Sequence, residues 1–309
     1  MNASARPFRF GVLTKGTPTR PAWHNLLRRV EDAGFTALHI PQHTSPQFAP
    51  FAALADAAAR TALTVTTLVH NNDLQHPALL ARDATTLALL SDGRFELGIG
   101  AGWMERDYRQ LGLPMDSGPQ RVDRLAEAIE ILRRSWAAEP YSYHGKHYGV
   151  DELQGLAGPR VPLLVGAGGD RMLRLAARSA DIVSFSRNMS AGSTAQEIAN
   201  DASLESTQRK ARTLRDHLGD RAADVELHIL VVRAATGAAA SRELDNYVAA
   251  TGVSHVTARQ TPELLLGRDP QELADVLQER RASTGISYYV FRDAHLDFLP
   301  PVINRLAGT

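Results

Sequence analysis

Short apolar runs rich in β-branched and aromatic residues alternate along this chain with longer stretches whose apolar positions recur every three to four residues. The short runs predict eight strands, at 8–13, 37–41, 63–69, 95–99, 162–165, 181–185, 225–232 and 287–291. The longer stretches predict amphipathic helices between them. Pro21 opens one helix in its first turn, Leu26, Leu27, Val30 and Ala33 form its stripe, and Gly34 closes it. Pro77 opens another, with Leu80, Ala84, Leu87 and Ala88 facing inward and Gly93 at its end. A third, over 119–138, places Val122, Leu125, Ile129, Leu132 and Trp136 at helical spacing and adds a Glu130–Arg134 pair one turn apart. Such alternation predicts an α/β fold with a parallel sheet and helices outside it. Eight units predict a (β/α)8 barrel, for which about 250 residues suffice, so the surplus is assigned to insertions.

One insertion lies over 141–150, where YSYHGKHYG alternates aromatic and polar residues around Gly145 and reads as a hairpin between units four and five. The segment 189–202, small and polar, follows strand six; 234–242, rich in alanine, follows strand seven. Both belong at the C-terminal face of a barrel, as lids or as plain connections. With no internal repeat and no linker, residues 1–309 read as a single domain.

Charge narrows the partners. The 34 basic and 34 acidic residues cancel, so no net field draws the chain to nucleic acid or to an acidic membrane. The absence of cysteine excludes disulfides, thiolate catalysis and cysteine-ligated metals. No uninterrupted apolar stretch is long enough to span a bilayer, and the first residues lack a signal peptide's apolar segment, so a cytoplasmic location is expected.

The densest chemical signal is SDGRFELGIGAGW, where a strand runs into glycines at 98, 100 and 102. Glycine there gives a flat or anionic ligand close access to the backbone. The spacing is not that of a dinucleotide fold, because Trp103 stands where a third glycine would be. A second cluster, Gly166, Ala167, Gly168 and Gly169, falls between a strand and a helix, and fits either a phosphate cradle or a tight turn. His43, after the second strand, is open between a structural histidine and a proton donor in a barrel mouth, whereas His39 reads as packing. After strand three, Asn71 and Asn72 fit hydrogen bonding to a heterocycle or a turn. His70, Asp73 and His76 lack helical metal-ligand spacing, and no His-Glu-x-x-His occurs, so no metal site is expected. Glu105 and Asp107 read as a solvated helix start. Neither a Walker motif nor a Gly-x-Ser-x-Gly elbow occurs.

Together, HPALLARDATTLALLSDGRFELGIGAGW, the helix containing RVDRLAEAIEIL, PLLVGAGGDRMLRLAARSADIV and ISYYVFRDAHLDFLPPVINRL closely resemble the bacterial luciferase-like monooxygenase superfamily over nearly the whole chain. LVHNNDLQHP and GAGWMERDY are most similar to its F420-dependent members. The resemblance implies a (β/α)8 barrel binding F420, or alternatively FMN, at its mouth. It implies His43 near the reactive ring as donor or proton relay. It implies a non-prolyl cis peptide at Thr67–Leu68, and Gln42, Thr67, Leu68, Asn71 and Asn72 around the heterocycle. Gly100, Ala101, Gly102 and Trp103 would form a wall, and Gly166, Ala167, Gly168 and Gly169 would receive the phosphate. A homodimer, a small-molecule substrate and a separate flavin or F420 reductase as cofactor supplier are further implications. A two-component FMN monooxygenase and a non-catalytic ligand-binding barrel are the alternatives.

Two positions depart from the family pattern. Gln42 stands where many relatives carry Asp, which removes a charge expected to tune His43. Trp103 stands where some sugar-phosphate dehydrogenases place a glutamate acid, and it offers an apolar wall instead.

Overall fold

The computed structural model describes residues 6–189 and 194–309. In chain order the elements are β1 (Arg9–Leu13), α1 (Arg20–Asp32), β2 (Ala37–Ile40), α2 (Pro50–Arg60), β3 (Thr64–Thr67), β4 (His70–Asn71), α3 (Pro77–Leu90), β5 (Phe95–Gly100), α4 (Glu105–Leu111) and α5 (Gly118–Trp136). There follow β6 (Pro140–His144), β7 (Gly149–Gln154), β8 (Leu163–Ala167), α6 (Asp170–Ser179), β9 (Ile182–Phe185), α7 (Ala195–Asp201) and α8 (Leu204–Leu218). The last are β10 (Glu226–Val231), β11 (Arg233–Thr236), α9 (Gly237–Thr251), α10 (His255–Gln260), β12 (Leu264–Gly267), α11 (Pro270–Thr284), β13 (Tyr288–Arg292) and α12 (Pro300–Leu306). The main strand order is β3-β2-β1-β13-β10-β9-β8-β5-β4, with β3 also paired to β5. Counting β3 and β4 as one position, this is the order of the expected (β/α)8 fold.

The chain forms two compact groups of residues, one of Met1–Thr14, Arg28–Ala37 and Gly166–Thr309, the other of Lys15–Leu27 and Leu38–Val165. In the second group, β3 and β5 are parallel with Val65 opposite Phe95, and β5 and β8 with Leu97 opposite Leu163. Helix α3 begins where the sequence predicts: Pro77 needs no N–H partner, and His76 Nδ1 accepts the Ala78 N–H. Its Leu80, Ala84, Leu87 and Ala88 are buried. The Arg94 guanidinium donates to the carbonyls of Ala58, Thr61 and Leu63, tying the end of α2 to the start of β3. The inserted hairpin is present as antiparallel β6 and β7.

The predicted strand 63–69 is interrupted. Thr67 Oγ1 donates to Gly98 O at 2.7 Å and accepts the Gly98 N–H at 3.0 Å, bonds made by the side chain beyond the last paired residues, Thr66 and Glu96. The non-prolyl cis bond falls one peptide later than expected, at Leu68–Val69. Beyond it His70 pairs with Ile99.

In the first group, β1, β13, β10 and β9 run parallel, with Arg9 opposite Tyr288. Arg9 bonds Glu226 at 2.6 Å and lies 4.1 Å from the centre of the Tyr288 ring. The segment 234–242, expected as a lid or connection, is regular structure. Ala234 and Ala235 belong to β11, which pairs with β12, and residues 237–242 open α9. Small side chains let these elements close around Leu244, Tyr247, Leu264 and Leu266. Of 189–202, residues 190–193 lie outside the described residues, and Ala195–Asp201 is a helix capped by Thr194.

His70 supplies a test of packing. It is 1% exposed, it meets the Phe51 ring at 6.0 Å, and neither ring nitrogen has a hydrogen-bond partner among the described residues. Burial depresses its pKa from 6.5 to about 4. An unfolded chain takes up the proton at the higher pH, so stability is lost as pH falls from 6.5 towards 4. The full shift corresponds to about 3 kcal/mol. His70→Leu is expected to flatten that acid limb, seen as a smaller gap between urea midpoints at neutral and at acid pH. An unchanged gap would contradict a neutral buried imidazole.

Candidate active site

Helix α4 and the turn after β2 bring together two residues 64 positions apart: His43 Nδ1 lies 2.6 Å from Asp107 Oδ2. The other carboxylate oxygen, Oδ1, accepts from Thr44 Oγ1 at 2.8 Å and from Thr44 N–H at 3.3 Å. Burial alone would raise the Asp107 pKa, but the bonds from His43 and Thr44 outweigh it and hold the carboxyl below the usual range. An ionised Asp107 accepts the Nδ1 proton and leaves Nε2 as the free ring nitrogen, without a protein partner among the described residues. Trp103 is 50% exposed, and its ring stands at right angles to that of His43 with centroids 6.0 Å apart.

This geometry corrects two readings. Asp107 is buried rather than solvated. His43 does not lose a carboxylate through Gln42, because Asp107 supplies one from another segment. Gln42 Oε1 instead accepts the Asn71 N–H at 2.8 Å and ties the turn after β2 to β4. The sequence carried little signal for Asp107, since of the apolar residues on its short helix Tyr108 is buried and Leu111 is 51% exposed.

Asn71 Oδ1 accepts the Asp73 N–H at 3.1 Å and is approached by the Tyr108 hydroxyl at 3.4 Å, while the Asn71 amide nitrogen keeps no partner among the described residues. Asn72 is 1% exposed and donates to Tyr148 Oη at 3.0 Å, so it backs the turn from beneath. Burial pushes the Tyr148 hydroxyl up to about 12, keeping it protonated at neutral pH. Thr67 and Leu68 lie at the end of β3, where Leu68 N–H donates to Ile40 O.

The glycines serve the protein's own packing. A Cβ on Gly98 would lie 1.8 Å from Thr67 O, and one on Gly102 would lie 2.1 Å from the Tyr108 hydroxyl. A Cβ on Gly100 would lie 3.0 Å from a Val69 methyl. Close approach of chain to chain is reason enough for the missing side chains at these positions. Ala101, between them, is half-buried.

One face of α5 grips four segments. Arg121 Nε donates to Gly102 O at 3.3 Å, and Arg124 bonds Asp73 at 2.8 Å and also Asp116. Glu127 accepts the N–H groups of Lys146 at 2.9 Å, His147 at 2.9 Å and Tyr148 at 3.2 Å. The spacing of three keeps all of them on neighbouring turns.

The second glycine cluster belongs to the other compact group. Gly166 and Ala167 end β8, and Gly169 precedes α6 without a side-chain cap. A Cβ on Gly168 would meet Arg187 O at 2.4 Å, so this glycine too has a packing reason. Asp170 in the first helical turn adds a negative charge beside the turn. Arg187 is committed to Glu263, and Lys210 to Asp201 and Ser186 O. Among the described residues no cluster of His, Asp or Glu is placed to hold a metal, and no helix is long and apolar enough to cross a membrane.

A model of the family described as luciferase-like monooxygenase matches residues 7–294. The chain belongs to the luciferase-like monooxygenase family. Among relatives, the F420-dependent glucose-6-phosphate dehydrogenase of Microbacterium testaceum (strain StLB037) is 33% identical over 162 residues, 49% of this chain and 48% of that protein. The chain thus spans about half the length of the curated relatives it matches. An F420-dependent secondary alcohol dehydrogenase solved with an F420–acetone adduct superposes with a TM-score of 0.77 at 17% identity, covering 97% of this chain and 98% of that one. A riboflavin lyase solved with modified FMN and riboflavin gives 0.75 at 13% identity, covering 98% and 93%. These likenesses show the fold, a luciferase-like (β/α)8 barrel. Structures with F420 and with FMN both stand among the neighbours of this luciferase-like chain.

Proposed function

We propose that this chain is an F420-dependent oxidoreductase that interconverts a C–O, C–N or C–C single bond of a small molecule with the corresponding double bond. The observation that carries the reading is His43 held by Asp107, with Nε2 free beside Trp103. Hydride transfer at a carbon bearing oxygen requires a proton to leave or arrive at that oxygen. Asp107 fixes the Nδ1–H tautomer, so neutral His43 offers its Nε2 lone pair to a substrate hydroxyl. As the C=O bond forms, the proton passes to Nε2, and Asp107 stabilises the imidazolium. In the reverse direction the imidazolium returns that proton to the oxygen. The deazaflavin, when bound, supplies the two-electron hydride partner.

The residues fit such a ring. The Asn71 amide nitrogen and His43 Nε2 are two unspent polar groups here, and Asn72 Oδ1 is a buried oxygen with no partner among the described residues. Asn71 would hydrogen-bond the heterocycle, with Gln42, Thr67, Leu68 and Asn72 behind it and Gly100 through Trp103 beside it. Gly166, Ala167, Gly168 and Gly169 are assigned the phosphate as a separate claim, which a selective loss of phosphorylated over dephosphorylated cofactor binding in Gly169→Asp would support. A homodimer and a separate reductase complete the reading.

The relatives named for F420 support this cofactor; the neighbour solved with modified FMN supports the second reading, a two-component FMN monooxygenase. Equilibrium binding of each oxidised cofactor, followed by tryptophan quenching, separates them. F420 is expected to bind at about micromolar Kd or better, with FMN weaker. Tighter FMN binding would favour oxygen chemistry, and binding of neither would overturn both readings.

A further inference from the structure

Thr44 follows His43 directly, and the two residues share one carboxylate of α4. His43 Nδ1 meets Asp107 Oδ2 at 2.6 Å, while Oδ1 accepts from the Thr44 hydroxyl at 2.8 Å and from the Thr44 N–H at 3.3 Å. The same hydroxyl touches the side-chain amide of Gln110. Asp107 and Gln110 stand three residues apart on α4, so both lie on one face and Thr44 sits against the pair. A hydroxyl carries a single proton. The ionised carboxylate is the stronger acceptor and takes it. Gln110 then turns its amide nitrogen to Thr44 Oγ1 and donates. The bonds form a directed chain, from Gln110 to Thr44 to Asp107, that ends on Oδ1. The two oxygens of a free carboxylate exchange by rotation about the Cβ–Cγ bond. Here rotation would break both bonds from Thr44, and Asp107 is only 2% exposed, so water is poorly placed to replace them.

We infer that Thr44 is a positioning residue: its hydroxyl fixes Asp107 so that Oδ2 stays against His43 Nδ1. A purely structural Thr44 would hold the turn after β2 to α4 and leave the Nδ1 proton as it is. The effect on rate rests on the proton-transfer reading of His43 and Asp107 given above, but the first test needs neither cofactor nor substrate.

That test follows the low-field proton resonance of His43 Nδ1 in the cofactor-free chain, assigned by its absence from His43→Ala. Thr44→Val keeps the shape of the side chain and loses the hydroxyl. It is expected to move the resonance upfield and to speed its exchange with water about tenfold. Thr44→Ser is expected to match the parent. Urea midpoints are measured on the same proteins. A Thr44→Val protein with a lower midpoint and the parent resonance would make Thr44 structural only and overturn the inference. Absence of the resonance from the parent would overturn it too, as would its loss in Thr44→Ser, a comparison that stands whether or not Thr44→Val folds. With a substrate in hand, kcat of Thr44→Val is expected to fall about tenfold with KM and the F420 Kd within about two-fold of the parent, and Thr44→Ser to recover it. A shifted resonance with unchanged kcat would uphold the positioning of Asp107 by Thr44 and sink the proton-transfer reading instead.

Discussion

Asp107→Asn is expected to lower kcat by about 10²-fold while leaving the F420 Kd within about two-fold of the parent. The substitution keeps the size of the side chain and removes the charge that His43 Nδ1 meets at 2.6 Å. The amide stabilises an imidazolium poorly and offers either end to Nδ1, so the fraction of His43 with a free Nε2 lone pair falls. A substrate is first established by screening alcohols and carbonyl compounds; kcat then follows from the loss of F420 absorbance. The Nδ1 proton also gives a check independent of turnover, because a low-field imidazole resonance in the parent should move upfield in the variant. An unchanged kcat would remove the pair from proton transfer. Because hydrogen bonds hold Asp107 below its ordinary 3.8, its charge and the stability tied to it are present above that value and are lost as pH falls through the lowered one. A rate profile from about pH 5 to 8 therefore contains no Asp107 titration.

Gly98→Ala is expected to destabilise the fold by about 3–5 kcal/mol, a large part of the stability of a typical domain. The added Cβ would stand 1.8 Å from the Thr67 carbonyl oxygen, a backbone atom that can retreat only if β3 moves away from β5. That movement would also break the two bonds between Thr67 Oγ1 and Gly98, each worth about 1 kcal/mol. Urea unfolding measures the loss. Gly118→Ala is the control, because nothing lies within 4 Å of its added Cβ. A Gly98→Ala protein with the parent midpoint would show that the strands can separate without cost.

Periodicity made the fold readable to within a few residues at most strands, since buried parallel strands and amphipathic helices write different patterns. It showed no break after Thr67, because the apolar pattern runs on through Leu68 and Val69. It misread 234–242 for a similar reason: alanine and glycine look like loop material until Leu264 and Leu266 are seen to pack on them. At the candidate site His43, Asn71 and Trp103 could be picked out from their places after strands. Asp107 could not be assigned to His43 from spacing, as 64 residues separate them. Nor could sequence tell that Gly98, Gly102 and Gly168 accommodate protein atoms, because glycine marks close approach without naming what approaches.

The three grips of α5 have a consequence for how this scaffold diversifies. Arg121, Arg124 and Glu127 hold their loops mainly through backbone groups or single acids, and the two arginines share Asp116. Most side chains on those loops are therefore free of the anchoring. Because Glu127 meets only N–H groups at the hairpin tip, the side chains of Lys146 and His147 can change while those bonds persist. Anchorage and side-chain chemistry are thereby carried by different parts of the chain, the first by α5 and the second by the loops.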